Sequence, residues 1–111
     1  MAICVIADNP KGTVELYEQV MQRVAQGGSL PPEGAIFQVA GPSEPGWRVV
    51  SVWDSRDAFD RFAAERLTPA WKELGISHDD VEFTIFEAHS YMAGDMSGAV
   101  RGPAFAGTRA G

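Results

Sequence analysis

Two histidines, a few carboxylates and several hydroxyl and amide groups set among apolar residues are the chemistry this chain offers. His89 closes an alternating run in which Val81, Phe83, Ile85, Glu87 and His89 share one face. Imidazole is the commonest general base, which makes His89 a candidate proton acceptor; the competing role is a strand-end histidine that caps backbone or faces water. Asp8 stands in Asp8-Asn9-Pro10, where turn formation competes with a carboxylate directed into a pocket. Gln38 shares a face with Ile36 and Ala40, and Ser51 with Val49 and Trp53, so each puts hydrogen-bonding atoms into an apolar row. Tyr17, Met21, Phe59, Phe62, Arg66 and Trp71 lie on or beside apolar stripes at helical spacing, and Arg66 there has snorkelling to water as its plain role. Trp47, Trp53 and Trp71 are packing groups first, with an indole N–H that becomes a specific donor at a cleft. His78, among Ser77, Asp79 and Asp80, reads as part of a solvated loop. Two histidines in separate segments lack the short ligand spacings of a zinc site, so no metal is expected.

These residues must be held by elements, and the sequence supplies six. Residues 2–7 form an apolar run rich in Val and Ile, a first strand buried on both faces. Thr13 then precedes a stripe of Val14, Leu16, Tyr17, Val20, Met21 and Val24, a helix ending at Gly27-Gly28, where glycine suits a left-handed cap. After the Pro31-Pro32 loop, residues 35–40 make a second strand. A turn carrying Pro42 and Pro45 leads into a third strand, so the two pair as an antiparallel hairpin. That third strand, from Trp47, runs straight into a helix through Asp54 and Ser55, either of which can cap it, with Asp57 favoured in the first turn by the helix dipole. The helix extends over about 56–67, kinks or restarts at Thr68-Pro69 with Thr68 as cap, and stops at Gly75. Residues 81–89 form the last strand. The order β-α-β-β-α-β is the split βαβ, ferredoxin-like α+β arrangement, a four-stranded antiparallel sheet with both helices on one face. Apolar residues point to both sides of these strands, so the uncovered face predicts sheet-to-sheet pairing of two copies, an isologous homodimer.

Composition narrows the field. The 111 residues make one domain over 1–92, followed by a Gly/Ala-rich tail over 93–111 whose sizeable apolar groups are only Met96, Val100 and Phe105. The tail is too poor in such groups to stabilise an element of its own; a neighbouring subunit or the mouth of a pocket would have to hold it. Nine Lys and Arg against fifteen Asp and Glu give a net charge of −6, which argues against nucleic acid and against an anionic membrane surface as partners. The lone Cys4 forms no internal disulfide and reads as a buried small hydrophobe. The first six residues lack a signal peptide's basic start, and a cytoplasmic location is expected.

Gln38-Val39-Ala40-Gly41-Pro42, the stretch from Gly46 to Ser55 and Phe59-Asp60-Arg61-Phe62 resemble the actinobacterial branch of the dimeric α+β barrel superfamily, which includes the antibiotic-biosynthesis monooxygenases. The resemblance covers residues 1 to about 90. It implies a pocket in each subunit between sheet and helices, where a cavity between layers is also expected on general grounds. Such a pocket, bordered by Gln38, Ser51, Trp53, Tyr17, Phe59, Phe62, Arg66 and Trp71, suits a flat, hydrophobic, oxygenated ligand such as an aromatic polyketide. The resemblance further implies a cofactor-free oxygenase whose deprotonated substrate reacts with oxygen directly. Trp53 and Trp71 would then position the substrate, and His89 or Asp8 would take its proton. The haem-degrading branch uses a strand asparagine, a helix tryptophan and a helix histidine; here Asn9 and Trp71 are loosely placed and His78 falls beyond the helix, so haem is not expected. A cyclase or isomerase using the same pocket, and a ligand-binding dimer without turnover, are the two alternatives.

Overall fold

The computed structural model describes residues 1–92, and the tail expected over 93–111 lies outside the described residues. Strands β1 (Ile3–Asn9), β2 (Ala35–Pro42), β3 (Trp47–Trp53) and β4 (Glu82–Glu87) form one antiparallel sheet in the order β2-β3-β1-β4. Helices α1 (Val14–Gln26), α2 (Arg56–Phe62) and α3 (Thr68–Leu74) carry the chain across it. This is the ferredoxin-like topology, with the expected hairpin between β2 and β3.

Register decides which side chains meet. Val5 stands opposite Ser51 on β3 and Ile85 on β4, and Ser51 stands opposite Gln38 on β2, so one row crosses the whole sheet. Because strand side chains alternate, Ile3, Val5, Ala7 and Asn9 of β1 face the helices while Cys4, Ile6 and Asp8 face away. Two apolar clusters fill the helix side. One joins Ile3, Val5 and Trp53 to Ala58 and Phe59 of α2; the other joins Val20 and Val24 of α1 to Ala70, Trp71 and Val81. Val24 is fully enclosed. Among the described residues no helix is long and apolar enough to cross a membrane.

The helix ends follow local chemistry, with three departures from expectation. Thr13 Oγ1 accepts from the Leu16 N–H at 3.1 Å, and Ser55 Oγ accepts from the Ala58 N–H at 3.1 Å, so Ser55 rather than Asp54 caps α2. First, Gly27 ends α1 in the right-handed region (φ −84°), not as a left-handed cap. The Arg66 guanidinium donates to the Val24 carbonyl instead, from Nε at 3.2 Å and also from Nη2. A side chain from another segment thus joins the Gly27 N–H, at 3.1 Å, on this terminal carbonyl. Second, the chain between α2 and α3 neither stops nor restarts but widens into a π turn over Ala63–Leu67, in which the Thr68 N–H donates to the Ala63 carbonyl five residues back. Pro69 lacks an N–H and its ring crowds the carbonyl four residues earlier, and the wider turn accommodates both. Third, Thr68 is therefore helical and caps nothing; its hydroxyl lies 3.4 Å from His78 Nε2. Gly75, at φ +75°, does supply the left-handed terminus expected there.

Candidate functional site

The helices do not pack solidly onto the sheet. Between them lies a cavity of about 110 Å³. Its sheet wall comes from alternate residues of three strands, Val5, Ala7 and Asn9 of β1, Trp47, Val49, Ser51 and Trp53 of β3, and Gln38 of β2. Phe83 of β4 and Val81 just before it close one side. The opposite wall is Leu16, Tyr17, Val20 and Met21 of α1, Phe59 and Phe62 of α2, Leu67 of the π turn and Trp71 of α3. The π turn thus sets the angle at which Phe62 and Leu67 on one side, and Trp71 on the other, reach the same space.

Aromatic contacts stiffen the inner end. Trp53 meets Phe59 edge-on at 5.6 Å between centroids and Phe62 at 5.1 Å, while Trp71 stacks on Phe83 at 5.9 Å. Such pairs contribute about 0.5–1.5 kcal/mol each beyond area burial, so these rings resist displacement. Polarity collects at the outer end. Gln38 Nε2 donates to Tyr17 Oη at 2.8 Å, and Tyr17 tilts against Trp47 at 5.3 Å between centroids. Thr13 and Gln38 are exposed, whereas Val5, Val20, Ser51, Trp53, Phe59 and Trp71 are buried, so the opening lies between the start of α1 and the β2 edge.

Three hydroxyls border the cavity, and each already accepts from a nitrogen; Thr13 Oγ1 at the rim accepts from the Leu16 N–H, and the other two lie further along the wall. Tyr17 accepts from Gln38; Ser51 Oγ accepts from the Trp53 indole N–H at 2.9 Å in a buried bond. A hydroxyl has one hydrogen to give, and among the described residues neither of these donates to a protein acceptor. Burial pushes the Tyr17 phenol above its usual range, so it keeps its proton at neutral pH and stays a donor. Among the described residues Trp47 Nε1 is enclosed without a partner, an arrangement that costs about 1–3 kcal/mol for a neutral donor.

Of the residues singled out from sequence, Gln38, Ser51, Trp53, Tyr17, Phe59, Phe62 and Trp71 come together on the cavity wall. Three candidates stand elsewhere. Asp8 occupies an even position of β1, so alternation turns it to the far face, where Arg48 clasps it through Nε at 2.6 Å and Nη2 at 3.0 Å. Its carboxyl is held below the usual range by the hydrogen bond from Arg48. His89 lies two residues past the end of β4 and is exposed, because the strand ends at Glu87 rather than running to residue 89. Arg66 is drawn to the Val24 carbonyl and over the Phe62 ring at 5.9 Å, outside the lining. Among the described residues, the wall therefore carries no carboxylate, imidazole, amine or guanidinium.

Asn9, Thr13 and Trp47 complete the polar end and were not among the chosen site residues. The signal for Trp47 is its even spacing from Ser51 and Trp53, which puts all three on one face of β3. Asn9 is fixed by its own turn, where Oδ1 accepts from the Lys11 N–H at 2.9 Å. His78 sits in the short 3₁₀ turn His78–Asp80 with its ring edge-on to Trp71 at 5.1 Å, on the outer side of that indole.

No family model matches the chain, and no curated protein matches it. Solved structures do. SnoaB, a cofactor-independent oxygenase from Streptomyces nogalater, superposes with a TM-score of 0.57 at 21% identity over 82% of this chain and 95% of that one. Rv0793 from Mycobacterium tuberculosis gives 0.60 at 15% identity over 84% and 100%. A dimeric ferredoxin-like protein of unknown function from Jannaschia sp. CCS1 gives 0.55 at 11% identity over 79% and 100%. At such identities the likeness establishes the fold alone, the ferredoxin-like α+β arrangement that the element order implied.

Proposed function

We propose that this protein is a cofactor-free oxygenase of small hydrophobic, hydroxylated aromatic molecules, working as a homodimer. The observation that carries the reading is the cavity between sheet and helices: apolar and aromatic at its inner end, lined by uncharged groups, with hydroxyl donors to spare. Support also comes from the shared fold with SnoaB, a cofactor-independent oxygenase. A phenol or enol bound there loses its proton to water at the opening, since among the described residues no side chain on the wall is a strong base. The hydrogens of Tyr17 and Ser51 then hold the anionic oxygen, which makes the ring electron-rich without permanent charge in the protein. Oxygen reacts at the ring carbon opposite. One oxygen atom becomes the new carbonyl and the other leaves as water, so that a phenol and O₂ give a quinone and H₂O, with all four electrons drawn from the substrate. Trp53 and Trp71 orient the ring.

Pairing follows from the bare sheet face, where Val39 and Phe86 are each more than half exposed and lie among Phe37, Val50, Val52, Cys4 and Ile6. A soluble single subunit rarely leaves such a surface open, and a second copy is the cover with matching shape. The reading is tested by oxygen uptake with anthrone and with simple phenols, using ¹⁸O₂ to trace the label. Incorporation of one labelled atom per turnover supports it. Saturable ligand binding with no uptake above the uncatalysed rate would overturn it in favour of a binding protein without turnover, the reading that the absence of a wall-borne base favours.

A further inference from the structure

We infer that the cavity selects a single-ring phenol or enol, with its oxygen between Tyr17 and Ser51, and excludes fused polycyclic substrates. The inference rests on the reading of this cavity as the substrate site. Size comes first. An engineered cavity of about 150 Å³ is filled by one benzene molecule, and the space here, about 110 Å³, is smaller still. It holds one ring with modest side-chain adjustment. The inner end cannot yield a second ring's width cheaply, because Trp53, Phe59, Phe62, Trp71 and Phe83 brace one another through successive ring contacts. A further ring would have to project from the opening, past the Tyr17–Trp47 pair and between the exposed Thr13 and Gln38.

Polarity then fixes orientation. Gln38 links the two hydroxyls, since its amide donates to Tyr17 and its register partner on β3 is Ser51. Directly opposed residues on one sheet face have side chains about 4.5–5.5 Å apart at Cβ, so Ser51 sits beside the residue whose amide holds the Tyr17 hydroxyl. Each oxygen already accepts from an N–H, which strengthens it as a donor. Two donors and no positive charge suit one oxygen that is a better acceptor than a neutral hydroxyl, such as a phenolate or enolate. A phenol or enol can enter neutral and become charged only at the site, whereas a carboxylate arrives fully charged with no cation to match it.

Labelled protein makes the test direct, because the three indole N–H groups of Trp47, Trp53 and Trp71 all belong to the wall. Their ¹⁵N–¹H signals are followed during titration with benzene, phenol, 1-naphthol and, under nitrogen, anthrone. Phenol should bind about tenfold more tightly than benzene, the effect of one to two net hydrogen bonds, and naphthol and anthrone more weakly than phenol. Tyr17→Phe and Ser51→Ala should each remove most of the phenol preference while benzene binding, which also reports a folded cavity, stays unchanged. Should Ser51→Ala not fold, Tyr17→Phe at the opening makes the same test alone. Tighter binding of naphthol or anthrone than of phenol overturns the inference, as does equal loss of phenol and benzene in the variants. The two readings fail separately. Phenol binding without oxygen uptake removes the oxygenase and leaves the one-ring selection standing; anthrone oxidation with indole signals unmoved by phenol does the reverse.

Discussion

The two faces of one sheet are built from alternate residues of the same strands, and they have opposite fates. On the helix side, Val5, Ser51 and Gln38 form a row closed over by α1 and α2, leaving a small hollow with hydroxyls at its rim. On the far side, the neighbouring rows run Phe37, Val52, Cys4, Phe86 and then Val39, Val50, Ile6, Thr84, and among the described residues no element lies upon them. Both are apolar, so hydrophobicity alone does not distinguish a binding site from an interface. What separates them is enclosure and the placing of polar atoms. The hollow keeps its polar groups neutral and unspent, whereas the far face gathers charge into one terminal row, Arg48, Asp8 and Glu82, and pairs most of it.

The strongest way to break this contrast is to exchange a large side chain on each face. Phe59→Ala removes a ring that touches Trp53 and Phe83 and is 7% exposed. It should lower unfolding free energy by about 3–5 kcal/mol, seen as a shift in the urea midpoint, because a cavity next to a cavity cannot collapse fully. Phe86→Lys, at a position 52% exposed in the single subunit, should leave that midpoint nearly unchanged at low concentration while halving the mass measured by sedimentation. Comparable losses of stability from both, with no change in mass, would mean that the far face is not an interface.

A smaller effect sharpens the account of how the hollow is kept open. Arg66 ties the end of α1 to the π turn, and both elements supply cavity wall. Arg66→Ala should cost about 1.5 kcal/mol, the low end of the range for a hydrogen bond to a charged group, because the enclosed Val24 carbonyl keeps the Gly27 N–H at 3.1 Å as a partner. Arg66→Lys should recover only part of this, since one ammonium cannot reproduce the two guanidinium donors. Hydrogen exchange in the last turn of α1 would show the loss locally; unchanged exchange there would remove Arg66 from this role.

Much of this was legible in the sequence, and the rest was not for identifiable reasons. Element order, the hairpin and the strand-to-helix turn at Ser55 follow from local patterns, each decided within a few residues. Alternation likewise grouped Ser51 with Trp53 and Gln38 with Ala40, and these groups do share the cavity side. Which of two groups on a strand faces the helices depends on long-range register, and so Asp8 was placed on the pocket side when its neighbours Ala7 and Asn9 are the ones that line it. His89 was misplaced by two residues of strand length, the usual uncertainty of an element boundary. Arg66 and the π turn escaped for a third reason. A glycine pair at a helix end and a proline after a threonine have standard local solutions, and here contacts between segments distant in the chain replaced both.

The smallest expected effect belongs to the charged row of the far face, and it separates a covered face from a bare one. Arg48 lowers the Asp8 carboxyl relative to its value in the unfolded chain, about 3.9. The folded state then binds its proton less readily, so the pair's stabilisation is present above about pH 4 and is lost as pH falls through the lowered folded value. Half of the Arg48 side chain is exposed in the single subunit. Solvent screening therefore keeps the pair's contribution small, and Asp8→Asn should lower the urea midpoint only slightly at neutral pH, with no difference from the unaltered protein in strong acid. Added salt should shrink this difference in a monomeric variant such as Phe86→Lys. In the paired protein, with the row withdrawn from water, salt should change it much less. Equal salt sensitivity in the two backgrounds would place Asp8 and Arg48 outside the contact between subunits, and would confine that contact to the two apolar rows beside them.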